Sequence, residues 1–241
     1  MWKKKLYIKD NLEPFPLNRT KIELFNDCRK CFYNDLTYGI KRPLGPSLVI
    51  NNTIHQIITR EFDSYREKKM KHPIMDNDNF DMLPSSHLNL IHWRNPFSGI
   101  RYIHKKTNFK LIGSIDDLWF DKESKKYFVV SYKSTSRKES LKFEDINNNY
   151  WKQLSFYNYL LKKNSLNVSK IGFIIFSNAT KKAINFNKVL NFEMSLFSKE
   201  LDSNWLEDTL ENAFNVLQSM NHPPPSRKCK YCQYVNFVNM L

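Results

Sequence analysis

The sequence predicts an α/β protein: a mixed central sheet flanked by helices, preceded by an N-terminal helical section. Three observations carry this. The chain has 241 residues, 41% hydrophobic and 15% aromatic, enough to build a core. Apolar residues recur at helical spacing in four separate stretches, whereas short apolar runs between turn signals mark strands in the middle of the chain. The order runs helices, strand pair, helix, further strands, helix, which is the order of a mixed sheet with helices around it.

Taken in order, residues 1–17 form a lead-in broken by Pro14 and Pro16. Asn18 is a candidate N-cap for a helix carrying Ile22, Phe25, Cys28, Phe32 and Leu36, ended by Gly39, Pro43, Gly45 and Pro46. A second helix is expected from Val49 to Lys69, with Ile50, Ile54, Ile57, Ile58, Phe62 and Tyr65 as its apolar stripe. Residues 72–100 are polar and read as a surface excursion with short helices around Leu88–Trp93. Lys110–Phe120 and Lys126–Ser134 read as paired strands joined by a turn at Asp121–Ser124, and residues 135–148 as a loop. A helix follows at Tyr150–Lys163, then strands at Lys170–Ser177 and about Lys188–Leu196, and a helix at Trp205–Met220. Pro223, Pro224 and Pro225 make a stiff spacer before a cysteine segment. One domain is expected, with a helical section at 18–100, a core at 101–221 and the cysteine segment at 222–241.

Charge and cysteine content narrow the function. With 38 Lys+Arg against 24 Asp+Glu, the net charge of +14 suits a polyanionic partner, of which nucleic acid is the commonest. The abundance of Lys and Asn has a second explanation, AT-rich coding sequence. No apolar run approaches the ~20 residues of a membrane helix, and the start lacks the apolar stretch of a signal peptide. A cytoplasmic chain without a membrane partner is therefore expected. The cysteines form two pairs, Cys28-x-x-Cys31 and Cys229-x-x-Cys232, a spacing that points to a metal or cluster more than to disulfides.

The strand pair carries the chemistry. Alternation puts Ser131 and Lys133 on one face, and pairing of the strands brings Asp116 beside them. A carboxylate, a second polar group and a Lys at a strand end make a compact site for a hard divalent cation. The same alternation sends Asp117 to the opposite face, as a turn or solvent carboxylate. His55, on an apolar helix, has an ordinary explanation as a hydrogen-bonded, half-buried residue.

Six segments in order give a stronger signal. Lys21–Asp35, Ile54-His55, Gly113-Ser114-Ile115-Asp116-Asp117, Val129–Thr135, Gln153-Leu154-Ser155-Phe156-Tyr157 and Cys229-Lys230-Tyr231-Cys232 together resemble the PD-(D/E)XK nucleases, in particular their RecB-like branch. That branch includes CRISPR-associated adaptation nucleases and the nuclease domains of helicase–nuclease complexes. The resemblance runs from about Asn18 to Val235. It implies a restriction-endonuclease-like fold and a DNA nuclease using Mg2+ or Mn2+ on single strands or ends. It implies Asp116 as the main metal carboxylate, Lys133 as the catalytic Lys, His55 as an auxiliary metal ligand, and Gln153 and Tyr157 lining the DNA-facing side. It also implies a 4Fe-4S cluster, with Zn2+ as the alternative, that packs the C-terminal cysteine segment back on the N-terminal section. Partners would be DNA and a helicase or other repair or adaptation proteins.

Two departures stand out. Ser131 occupies the position where the family has Asp or Glu. Either the site binds DNA without cutting, or a nearby acid such as Asp117 or Glu139 substitutes, or Ser131 acts through a metal-bound water. In addition, the family pattern has one N-terminal and three C-terminal cysteines, whereas residues 233–241 contain none here and Cys31 could supply the fourth thiolate instead.

Overall fold

A computed structural model describes residues 5–43, 45, 49–77, 81–182, 184–185, 187–219 and 221–240. The chain divides into two compact units, Met1–Pro46 with Arg101–Ile112 and Asn204–Leu241, and Ser47–Ile100 with Gly113–Ser203.

The second unit holds the central sheet. It contains α3 (Val49–Glu67), β2 (Met82–Pro84), α4 (Leu90–Arg94), β5 (Asp117–Asp121), β6 (Lys126–Thr135), α5 (Asn148–Lys163), β7 (Ile171–Ala179) and β8 (Phe192–Glu200). The strand order is β2-β5-β6-β7-β8. Every neighbouring pair is antiparallel except β6 and β7, which run parallel from Val130↔Phe173 to Thr135↔Asn178. A parallel pair needs a crossover, and α5 supplies it. Val130 and Tyr132 point into a core with Ile58 and Phe62 of α3, Trp119 and Phe173. Alternation therefore sends Ser131 and Lys133 to the other face, where α5 lies.

The first unit contains β1 (Phe15–Asn18), α1 (Arg19–Asp27), α2 (Arg29–Tyr38), β3 (Ile100–His104), β4 (Phe109–Gly113), α6 (Asn204–Gln218) and α7 (Lys230–Val238). A three-stranded sheet in the order β1-β4-β3 is built on the parallel pairing of Phe15–Asn18 with Phe109–Ile112. Asn18 caps α1 as expected, its side chain accepting from Lys21 N at 3.1 Å. Gly39 ends α2 in the left-handed conformation that glycine adopts without cost, φ 76°.

This is the mixed α/β architecture expected. Several local expectations are corrected. The helix over residues 18–36 is two helices, because Cys28 is extended (φ −159°, ψ 109°) and caps α2 one residue after α1 ends. The strand Lys110–Phe120 is also two: β4 joins one sheet and β5 the other. Between them the backbone bends at Ser114–Asp116, where Ile115 N–H donates to Trp93 O and the Asp116 carbonyl accepts from Arg94 Nε. In the cysteine segment, Cys229 caps the nine-residue helix α7. The strand expected at Lys188–Leu196 lies four residues later, at Phe192–Glu200, and β3 lay inside residues given no element. The end of the last long helix, at Met220, lies outside the described residues.

Candidate active site and cysteine cluster

The bend before β5 explains how Asp116 reaches its neighbours. Freed from strand alternation, its carboxylate turns toward β6 and α3. Asp116 Oδ2 accepts from Ser131 Oγ at 2.6 Å and from the Tyr132 backbone N–H at 2.9 Å. Asp116 Oδ1 lies 3.2 Å from His55 Nε2. Burial would push this carboxyl's pKa up. The His55 hydrogen bond, the charges of Lys133 and His55, and the Ser131 hydroxyl outweigh that and hold it down at about 2. Asp116 is therefore an anion at neutral pH although only 18% of its side chain is exposed.

On the α5 side, Lys133 Nζ donates to Gln153 Oε1 at 3.0 Å, and Gln153 Nε2 donates to Tyr157 Oη at 3.0 Å. Lys133 Nζ also lies over the Tyr150 ring, 5.1 Å from its centroid. Gln153 and Tyr157 are one turn apart on α5, so one face presents both. Gly113 makes room for that face. A Cβ there would sit 2.9 Å from Leu160 and 3.0 Å from the Tyr157 ring.

Asp117 corrects the sequence reading. It is fully buried, not a turn or solvent carboxylate. Because the strand breaks at Asp116, alternation starts afresh at Asp117, which shares the α3 face with Trp119. Its Oδ1 accepts from Arg94 Nη2 at 2.7 Å, from Arg66, and from Leu118 N at 2.8 Å; its Oδ2 accepts from Tyr132 Oη at 2.6 Å. Arg66 and Arg94 also share Asp63. Burial, and then the Asp117 charge, push the Tyr132 phenol well above its ordinary range, so it stays a donor. With both oxygens committed, Asp117 does not stand in for the acid absent at Ser131, and Glu139 is exposed in the loop after β6. Among the described residues no third His, Cys, Asp or Glu joins His55 and Asp116. Asp63, Arg66 and Arg94 were missed from the sequence. The Asp-Asp dipeptide beside two arginines on apolar helices was the only trace of them.

Beside Asp116 lies a cavity of about 570 Å³, lined by His55, Thr59, Arg60, Arg94 and Ser114 among others. An ionised carboxylate and an imidazole that converge on a cavity with room for waters suit two of the ligand positions of a Mg2+ or Mn2+ ion.

In the first unit, Cys28, Cys31, Cys229 and Cys232 come together, all buried. Their sulfurs lie within 4.8 Å of one another, close enough to bind a metal. Each pair opens a helix: Cys28 and Cys229 are the cap residues of α2 and α7, and Cys31 and Cys232 sit in the first turns.

A model of the PD-(D/E)XK nuclease superfamily matches residues 16–237. The chain belongs to the PD-(D/E)XK nuclease superfamily. Members of this superfamily are in general metal-dependent nucleases, and the mixed sheet with its single parallel pair is consistent with their restriction-endonuclease-like fold. The match takes in the Asp116–Lys133 strand pair and all four cysteines. No curated protein matches the chain. Among the described residues no helix is long and apolar enough to cross a membrane.

Proposed function

We propose that the chain is a RecB-like, divalent-cation-dependent nuclease that hydrolyses phosphodiester bonds in DNA, on single strands or ends. The observation that carries this is the convergence of His55 Nε2 and Asp116 Oδ1, 3.2 Å apart, with Lys133 on the adjoining strand. The RecB-like assignment rests on the order of the six sequence segments.

Asp116 and His55 would hold the Mg2+ or Mn2+ ion, which supplies a bound water of lowered pKa and positive charge for the phosphate. The remaining work falls to the chain's own groups. Asp116 brings the negative charge and keeps it, because its carboxyl sits far below neutral pH. Ser131 orients that carboxylate by donating to Oδ2. Lys133 offsets phosphate charge, with Gln153 fixing the ammonium and Tyr157 fixing Gln153. Arg60, exposed on the cavity rim, contacts the DNA backbone. Helicases and other repair or adaptation proteins are the partners that this assignment suggests.

Cleavage of end-labelled single- and double-stranded DNA with Mg2+ or Mn2+ tests the proposal. Cutting is expected, with a loss of 100-fold or more in Asp116→Ala and in Lys133→Ala. The site's single carboxylate favours a second reading, a DNA-binding subunit that keeps the fold without cutting. Binding without cleavage, with cleavage appearing in Ser131→Asp, would establish that reading instead.

A further inference from the structure

We propose that the four cysteines hold one zinc ion, not the 4Fe-4S cluster that the resemblance to RecB-like nucleases implies. The four sulfurs are closely spaced. Cys28 Sγ and Cys232 Sγ are 3.8 Å apart, Cys31 Sγ and Cys229 Sγ 3.7 Å, and Cys31 Sγ and Cys232 Sγ 3.5 Å. All four fall within 4.8 Å of one another. Four thiolates about 2.3 Å from one Zn2+ form a tetrahedron with edges of about 3.8 Å. In a 4Fe-4S cubane each thiolate lies outward of a different iron, so the sulfurs stand roughly 6 Å apart. The cysteine tetrahedron has room for one ion and not for a cubane.

The helices account for this compact spacing. Within each Cys-x-x-Cys, one cysteine is the cap residue and the other sits in the first turn, and an i, i+3 separation there brings two side chains to the same point. Two such pairs, on α2 and α7, close a tetrahedron with no ligand to spare and no open position. The surroundings suit thiolates. Arg42 Nη2 donates to Cys229 Sγ at 3.0 Å, and Ser226 N–H donates to Cys28 Sγ at 3.4 Å. A guanidinium beside four thiolates offsets part of their surplus negative charge over Zn2+. Residues 233–241 offer no third C-terminal cysteine, and α7 occupies most of them. The site is therefore a closed structural staple between the N- and C-terminal segments of its unit, independent of the nuclease chemistry proposed above.

The test is metal analysis of the full-length protein, expressed with iron and zinc both supplied and purified without oxygen. About one zinc per chain and a colourless protein are expected. Replacement by Co2+ should give the visible bands of tetrahedral cobalt–thiolate. A strong chelator should lower the melting temperature of the native protein, and the Asp116→Asn variant should keep its zinc. Cys31→Ser and Cys229→Ser should lose it. Iron with a broad absorbance near ~400 nm would overturn the proposal, and so would a native protein free of metal. Metal content of the native chain decides the matter even if the serine variants do not fold. DNA cleavage is read separately, so neither result stands in for the other.

Discussion

Ser131 Oγ donates to Asp116 Oδ2 across 2.6 Å. Ser131 is fully buried. The hydroxyl spends its proton on the carboxylate, so the site holds one negative charge and orients it, where two acids would repel. A second carboxylate there is tolerable only with a cation between the two.

That relationship predicts the behaviour of Ser131→Asp. In chelator, the variant should be about 1–3 kcal/mol less stable than the native protein, because a buried like-charge pair replaces a hydrogen bond. Adding Mn2+ should recover most of the loss and raise the melting temperature further than it does for the native chain. Chemical unfolding with and without Mn2+ measures this. A variant indifferent to Mn2+ would show that residue 131 does not face the cation position.

Asp116 predicts the acid side of the stability profile. Its folded pKa, about 2, lies below the ordinary carboxylate value, so ionisation of Asp116 favours the folded state. That contribution is fully present above about pH 4 and is lost as pH falls toward 2. At neutral pH native protein should exceed Asp116→Asn by about 2 kcal/mol, and the difference should vanish near pH 2. Urea unfolding of both proteins from pH 7 down to 2.5 measures the convergence. A constant difference over that range would contradict the assignment.

Asp117 supports the site from behind. Removing its charge in Asp117→Asn takes from the guanidinium groups of Arg66 and Arg94 their buried counter-charge and leaves the half-exposed Asp63 as the acid they share. Breaking a buried pair in this way costs about 3–5 kcal/mol. Loss of cleavage should accompany it, because Arg94 also holds the Asp116 carbonyl. Thermal melts and cleavage rates measured on one preparation give both values.

Arg60 predicts a pure affinity effect. Arg60→Ala should weaken binding of all DNA sequences alike and reduce the slope of log affinity against log salt by about 1. The melting temperature should change little, since the side chain is exposed. Fluorescence anisotropy across a salt series provides the slope. An unchanged slope would place DNA away from this cavity.

The broad order of helices and strands, the antiparallel pairing around Leu118–Phe120 and Tyr127–Val129, and the shared face of Ser131 and Lys133 were legible in the sequence. They depend on local periodicity, and a period of two or 3.6 residues is written in adjacent positions. The Gln153–Tyr157 pair was legible for the same reason, one turn of helix. Where the chain breaks its own period was not legible. The bend at Ser114–Asp116 is held by groups from α4, distant in sequence, and it reverses the fate of Asp117 from exposed to buried. The role of Arg66 and Arg94 follows from that bend. The cysteine spacing pointed to a site that could bind a metal, but one ion and a cubane differ in how far apart the sulfurs stand. That distance is set by where α2 and α7 begin and how the fold brings their first turns together. Periodicity is a property of neighbours along the chain, and separations between distant segments belong to the tertiary structure alone.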